Sequence, residues 1–484
     1  MASNYKTPGV YVEEIPSLPA SVAQVETAIP AFIGYTEKAT SRGEDLSMVP
    51  TRIKSFPEYV ELFGGPQKQA GITVEVEEIT GDDPSITIRA NQPTEPSKFL
   101  MFYSLKMYFD NGGGPCYIVS VGDYSAAPAK GPLFDNTSNG LDKVEQEDEP
   151  TLILFPDATS LSAGDLTGAY VAALAQCKKL GDRFTIMDTH RSTLDAVNNN
   201  TNGFRKGIGM NNLKYGAAYF PFLKTSMSYT YDEDQVTVKY KGGDTADDFP
   251  DPAEEWKLAE KDDAGAYVAT SIKGNKDALY NLIKAEIEQL KVTLPPSSAV
   301  AGVYATVDRN RGVWKAPANV SLNSVIKPVL KITSDDQAGL NVDTTAGKSI
   351  NAIRSFTGKG VMVWGARTLA GNDNEWRYIN VRRFFNMAEE SIKKATERMV
   401  FEPNDANTWT RVQAMIENFL TLQWRNGALA GAVPEQAFFV NVGLGKTMTS
   451  LDILEGRMNI EIGMAVVRPA EFIILKFSHK MQES

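Results

Sequence analysis

The sequence predicts a mixed α/β (α+β) chain: a layered core built from N- and C-terminal segments, with surface insertions and an extended β arm at each end. Three observations carry this. Short apolar strand-length runs alternate with helix-length amphipathic segments between residues 30 and 220. Stretches rich in Gly, Pro, Asp and Glu interrupt that alternation. Both termini carry short alternating segments that cannot bury much within themselves. The 484 residues are 42% hydrophobic and 10% aromatic, enough for a sizeable core and incompatible with a disordered chain. At roughly 150 residues per domain, the length fits about three domains or one large core with insertions.

Residues 1–25 read as an extended arm. Val10-Tyr-Val-Glu-Glu14 alternates, and Pro16 and Pro19 bar both a helix and a central strand. Pro30–Tyr35 reads as a short buried strand. Residues 98–110 form a helix with Phe102, Leu105 and Phe109 on one face, stopped by Asn111-Gly-Gly-Gly114. Strands follow at Cys116–Val121 and Thr151–Phe155. Residues 165–180 form a helix with Leu166, Tyr170, Leu174 and Cys177 inward and Gly181 at its end. Strands at Phe184–Asp188 and Tyr215–Phe220 complete the alternation of an α/β core.

Farther on, residues 276–291 form an amphipathic helix with Leu279, Ile283, Ile287 and Leu290 inward, ended by Pro295-Pro296. Residues 379–400 form a long helix with the apolar stripe Val381, Phe384, Phe385, Ala388, Ile392, Ala395 and Met399. Glu402–Asp405 is a turn. Residues 406–426 bury Trp409, Val412, Ile416, Phe419 and Leu420, with Gly427 as the stop. Strands are expected at Phe438–Val442, Met458–Val467 and Ala470–Phe477.

Stretches 65–97, 123–150 and 225–272 read as surface insertions or a small outer domain. Between Tyr229 and Asp263 stand twelve acidic residues against four lysines, the main source of the net charge of −11. That balance argues against a general nucleic-acid binder, which needs a dense positive field. Two cysteines, Cys116 and Cys177, and two histidines, His190 and His479, argue against a disulfide framework and a histidine-rich metal site. No cofactor is expected. There is no basic-plus-apolar leader and no run of about 18 apolar residues, so synthesis and assembly in the cytoplasm, without a signal peptide or membrane insertion, are expected.

Two motifs imitate chemistry. Gly443-Leu-Gly-Lys446-Thr447 resembles the end of a phosphate-binding loop, but Val440 stands where that loop needs its first glycine. It reads as a hairpin-like loop. Asp188-Thr-His190 lies at the C-terminal end of a strand, a common place for α/β active sites, but has no candidate nucleophile. Lys393, Lys394 and Arg398 share the polar side of the long helix. They read as a solvated face balanced by Glu389, Glu390 and Glu397, or as a contact strip for an acidic partner.

In the last strand Ile473, Leu475 and Phe477 share one face. Two β-capable ends suit strand exchange between copies, or an ordinary sheet edge within one chain. Tyr5-Lys-Thr-Pro-Gly-Val-Tyr-Val-Glu-Glu14 resembles the opening of contractile tail sheath proteins, found in phage tails and related contractile injection systems. Further matches are Ile29-Pro-Ala-Phe-Ile-Gly34, Phe63-Gly-Gly65, Asn111–Val119, Pro295–Gly302 and Arg311–Asn319. Val363-Trp-Gly-Ala-Arg-Thr-Leu369, Trp376–Arg383, Val400-Phe-Glu-Pro-Asn404 and Arg468-Pro-Ala-Glu-Phe472 continue the series. The resemblance covers most of the chain in order.

That resemblance implies a structural, non-enzymatic subunit. It would stack as hexameric discs around an inner tube and contract to drive the tube through a target envelope. Val10, Tyr11, Val12 and Glu13, with Phe472, Ile473, Ile474, Leu475, Lys476 and Phe477, would be the exchanged strands. Lys393, Lys394 and Arg398 are the candidate inner-tube contact. Expected partners are other copies, an inner tube protein, and baseplate and terminal cap proteins, without direct nucleic-acid binding. The final site would be a phage tail or an extracellular or cell-associated particle. The expected division is an arm at 1–25, an α/β domain at 26–224 and an acidic outer insertion at 225–272. A core domain facing the tube follows at 273–464, then a strand and tail at 465–484. The alternative is a soluble cytoplasmic α/β enzyme with a site near Asp188 and His190.

Overall fold

The computed structural model describes residues 22–199, 201, 203–246, 253–263, 265–268 and 271–475. The expected N-terminal strand Val10–Glu13 lies outside the described residues, as do Lys476 and Phe477. The fold is mixed α/β. The described residues divide into two compact units, one within Glu26–Met387 with Arg468–Leu475, the other of Ala388–Val467 with Val22–Val25.

The larger unit is built on a nine-stranded sheet. Its six inner strands run parallel, in the order Ile350–Phe356, Gly216–Phe220, Phe184–Asp188, Leu152–Leu154, Pro30–Gly34 and Cys116–Ser120. Antiparallel strands close both edges: Gly360–Val363 and then Val320–Ser321 on one side, Thr51–Ile53 on the other. Alternate side chains feed two separate cores, as a parallel sheet covered on both faces requires. Ala31, Ile33, Ile153 and Met187 join Leu166, Tyr170, Leu174 and Cys177 of helix Ala163–Leu180. Gly181 ends that helix in the left-handed conformation, at φ 80°. Phe32, Leu152, Leu154 and Ile186 join Leu105 and Tyr108 of helix Met101–Asp110, and Val300, Val303 and Tyr304 of helix Ser297–Arg311. Residues 123–150 contribute Leu133, Leu141 and Val144 to the first of these cores.

Helix Ser297–Arg311 is absent from the sequence reading, which takes Pro295-Pro296 as a stop. Pro296 instead stands just before the first turn, where a missing N–H costs nothing. The helix crosses Met101–Asp110 so closely that a Cβ on Gly302 would lie 2.5 Å from the Tyr108 carbonyl oxygen. It is buried nearly all round, so no amphipathic period marks it.

A second, four-stranded sheet joins two distant stretches. Its order is Glu254–Lys257, Thr237–Gly243, Thr73–Ile79, Ser85–Asn91, and the middle pair is parallel. Val74, Val76, Val238 and Tyr240 pack with Leu279, Ile283 and Ile287 of helix Asp277–Ile287. The stretches read separately as insertions thus share one small core, and the amphipathic helix that follows them covers it.

The smaller unit contains helix Ala406–Arg425 and an antiparallel pair, Phe438–Val442 with Ile460–Met464. Helix Ile379–Thr396 begins in the larger unit and ends in this one. Among the described residues no helix is long and apolar enough to cross a membrane.

Candidate assembly site

The C-terminal segment departs most from the sequence reading. Ala470–Phe477 is expected as a strand, yet residues 470–475 belong to no strand. The physical reason is that a strand exists only through main-chain partners, and these residues join no strand ladder among the described residues. Phe472, Ile473, Ile474 and Leu475 are 70%, 79%, 80% and 72% exposed. Four consecutive large apolar side chains in water are costly for an isolated chain, at about 25 cal/mol per Å² of apolar area.

Glu471, immediately before them, is fixed. Arg367 Nη2 donates to its Oε2 at 2.6 Å and Nε donates to Oε1 at 2.9 Å. Asn341 Nδ2 donates to Oε1 at 2.8 Å, and the Tyr378 hydroxyl donates to Oε2 at 3.2 Å. Burial alone would raise this carboxyl; the hydrogen bonds, Arg367's foremost, outweigh it and hold it below the usual range. The two quoted motifs that contain Arg367 and Glu471 therefore meet in one cluster.

The antiparallel pair of the smaller unit runs from Phe438 opposite Met464 to Val442 opposite Ile460. Among the described residues neither strand is hydrogen-bonded to a third. The Phe439 ring occupies the space that a side chain on Gly463 would fill, and Phe439 is itself 48% exposed. The loop between these strands holds the phosphate-loop look-alike. It closes on itself: the Gly443 N–H donates to Thr447 Oγ1 at 3.3 Å, and that hydroxyl donates to the Asn459 carbonyl at 2.6 Å.

Helix Ile379–Thr396 carries Lys393 and Lys394 of the predicted basic strip, whereas Arg398 lies past its end, in the 3-10 turn Glu397–Met399. Lys393 and Lys394 converge on one carboxylate, Glu390, at 3.3 and 3.4 Å. The Glu390 side chain is only 8% exposed, and the Lys393 side chain is 63% exposed. Arg398 is exposed and donates to the Ala395 carbonyl at 3.1 Å. The strip is therefore partly neutralised from beneath. On the same helix Arg382 and Arg383 are buried, where sequence reading keeps charge in solvent. Arg382 stacks over Trp376, 4.3 Å from its ring centre, and donates to Asn386 Oδ1 at 2.7 Å.

The sequence reading misses Phe401 as a surface feature. It is fully exposed and sits at φ 69°, a left-handed conformation rare for a bulky residue. Val400 beside it is 62% exposed. Asn404 and Trp409 brace the loop, with Trp409 Nε1 donating to Asn404 Oδ1 at 2.7 Å. An aromatic just before Glu402-Pro403 was the available signal.

Asp188, the acid of the enzyme alternative, is engaged at a helix start. Asp188 accepts the Ser297 N–H at 2.9 Å and the Ser297 hydroxyl at 2.5 Å, at the start of helix Ser297–Arg311. Burial pushes its carboxyl up to about 7 against the pull of these bonds. Burial, then the Arg191 charge, holds the His190 imidazole below its ordinary value. Asp157 does for another helix what Asp188 does here. Its Oδ1 accepts the N–H groups of Leu100 and Met101 at 2.5 and 3.1 Å, and its Oδ2 accepts that of Tyr35 at 2.7 Å. Both are structural stitches between strand ends and helix starts.

Residues 371–480 match the family described as the phage tail sheath C-terminal domain. The tail sheath protein of Enterobacteria phage T4 is 28% identical over 138 residues, 28% of this chain and 20% of that protein. That of Burkholderia phage BcepMu is 29% identical over 142 residues, 28% of this chain and 29% of that protein. The chain thus aligns with less than a third of the length of these curated relatives. Solved structures match over nearly the whole chain. The helical sheath of the anti-feeding prophage in its contracted state is 33% identical, covers 98% of this chain and 100% of that one, and gives a TM-score of 0.63. The sheath complex of PVC, an extracellular contractile injection system, in its contracted state is 29% identical, covers 99% of both chains and gives 0.63.

Proposed function

The chain belongs to the contractile tail sheath family, and we propose that it works as a structural subunit of a contractile sheath. Copies stack as hexameric discs around an inner tube and change packing to drive that tube through a target envelope. The observation that carries this is the exposed run Phe472–Leu475, placed directly after Glu471, whose carboxylate accepts hydrogen bonds from Arg367, Asn341 and Tyr378. An exposed apolar segment that joins no sheet among the described residues is suited to complete a sheet in a neighbour. The pair Phe438–Val442 and Ile460–Met464 offers strands of matching length as the acceptor. Each exchanged main-chain bond contributes about 0.5–1.5 kcal/mol net, and the repeated lattice multiplies the total.

Contraction on this reading is a switch between two packings of nearly rigid subunits and consumes no nucleotide. Lys393, Lys394 and Arg398 face an acidic inner tube protein, with Val400 and Phe401 extending the contact beyond the helix end. Baseplate and cap proteins bound the polymer at its ends. The acidic stretch between Tyr229 and Asp263 keeps the outer surface in solvent.

The test is negative-stain electron microscopy of the chain produced with its tube and baseplate partners, intact and without residues 1–14 or 472–484. Ridged tubes from the intact chain, lost on either truncation, are expected. Tubes of normal length from both truncated chains would overturn the reading.

A further inference from the structure

Resting on the reading of residues 472–477 as an exchanged arm, we propose that Arg367 and Glu471 are the mechanical root of that arm. Tension on Phe472–Leu475 enters the subunit at this pair and passes into the central sheet.

The path can be followed bond by bond. Residues 467–475 form no helix or strand, and Ala470 and Phe472, on either side of Glu471, are exposed. Glu471 is gripped from three elements at once: Asn341 at the end of helix Ser334–Asn341, Arg367, and Tyr378. Arg367 is only 4% exposed and is itself held by its main chain. Its N–H donates to Asn351 Oδ1 at 2.8 Å, and Asn351 Nδ2 donates back to its carbonyl at 2.8 Å. Asn351 lies in strand Ile350–Phe356, and its Nδ2 also donates to the Ala218 carbonyl of the next strand at 3.2 Å. Glu471 is thereby tied to two adjacent inner strands through Arg367 and Asn351.

The local sequence is fitted to this tie. A Cβ on Gly365 would lie 2.7 Å from Asn351 Oδ1, so only glycine lets the chain settle over Asn351. The Thr368 N–H donates to the Arg377 carbonyl at 2.8 Å and the Ile379 N–H to the Ala366 carbonyl at 3.0 Å, fixing Arg367 from its other side. A bidentate guanidinium–carboxylate pair resists both sliding and rotation, unlike a single hydrogen bond. An exchanged strand must stay attached to its own subunit while its neighbour moves. A root at Glu471 limits the free length to the residues after it.

Glu471→Gln tests this, because it keeps the side-chain length and removes the charge-assisted pair. Produced with tube and baseplate partners, its sheaths are expected to be several-fold shorter, or broken after contraction, while the lone chain, with Arg367 left buried without its counter-charge, still folds and melts only a few degrees below the parent. Arg367→Lys is expected to fail in the same way, because a lysine keeps the charge without the fork. Sheaths of parental length and integrity from both variants would overturn the root, provided that deleting 472–484 still abolishes the polymer. If that deletion is also harmless, the arm reading itself falls and the root with it. A large drop in the melting temperature of the lone Glu471→Gln chain would place the pair in the stability of the fold instead, and would equally overturn the proposal.

Discussion

Arg383 and Asp308 form a bidentate ion pair, with Nη2 to Oδ2 at 2.5 Å and Nη1 to Oδ1 at 3.0 Å, and their side chains are 3% and 6% exposed. The same guanidinium donates to the Thr27 carbonyl at 2.7 Å, and Thr27 Oγ1 donates to Asp308 Oδ2 at 2.6 Å. The pair joins two helices and the start of the first strand's approach. Arg383→Ala leaves Asp308 buried without a counter-charge, at a cost of about 3–5 kcal/mol. Thr27→Val removes one neutral donor and costs about 1 kcal/mol. Urea unfolding followed by tryptophan fluorescence distinguishes the two.

The stitches at Asp157 and Asp188 respond differently to the same substitution. Both oxygens of Asp157 accept from N–H groups, so an asparagine there turns an NH₂ against a donor. Asp157→Asn is expected to lose about 1–3 kcal/mol. At position 188 the amide can accept from the Ser297 N–H and donate to its hydroxyl, so Asp188→Asn is expected to be nearly neutral near pH 7.

The pH dependence follows from burial. Each of these carboxyls is raised from 3.8 to about 7. Between those values the folded chain holds more protons than the unfolded one, so stability falls as pH rises through that window. Asp188→Asn removes its share, and the slope of unfolding free energy between about pH 4 and 7 is expected to flatten. A slope identical to the parent's would contradict the assignment.

Reversing both Lys393 and Lys394 would place two more carboxylates beside the nearly buried Glu390, and the fold would suffer along with any contact. The cleaner probes are Lys393→Ala and Arg398→Glu, both at exposed positions. Each is expected to change stability by no more than about 0.5 kcal/mol. Each should nevertheless reduce co-purification with an acidic tube protein, more strongly at low salt, where the lost attraction is least screened.

Phe401 separates stability from assembly. Its left-handed backbone costs about 1–2 kcal/mol, which glycine does not incur. Phe401→Gly is therefore expected to raise the melting temperature of the lone chain while lowering the yield of assembled sheath. A variant that assembles normally would remove Phe401 from the contact surface.

The strands Phe184–Asp188 and Phe438–Val442 were legible in the sequence to the residue, because apolar runs bounded by turn residues have few other solutions. The inward face of helix Ala163–Leu180 was equally plain. The outer sheet was not. Val74 and Val76 alternate with glutamates as a half-buried strand should, but its partner lies over 150 residues away and the acidic composition dominates the reading. The buried arginines 382 and 383 escaped for a related reason: pairing with Asp308 and stacking on Trp376 are tertiary facts. Of the candidate site, the apolar character of 472–475 was visible, whereas its grip at Glu471 depends on Arg367, Asn341 and Tyr378 converging from elsewhere.

The parallel pairing of Thr73–Ile79 with Thr237–Gly243 sets a timetable for biosynthesis. When the hairpin of Thr73–Ile79 and Ser85–Asn91 leaves the ribosome, its inner edge and the apolar side of Val74 and Val76 have nothing to rest on. The helix that covers them ends at Ile287, roughly 200 residues later, which at about 5–20 residues per second is on the order of 10–40 s of translation. For that interval the nascent chain presents an open strand edge to a crowded cell. The glutamates at 75, 77 and 78 face that same interval, and their mutual repulsion guards the edge against pairing with a neighbouring nascent chain before its own partner arrives.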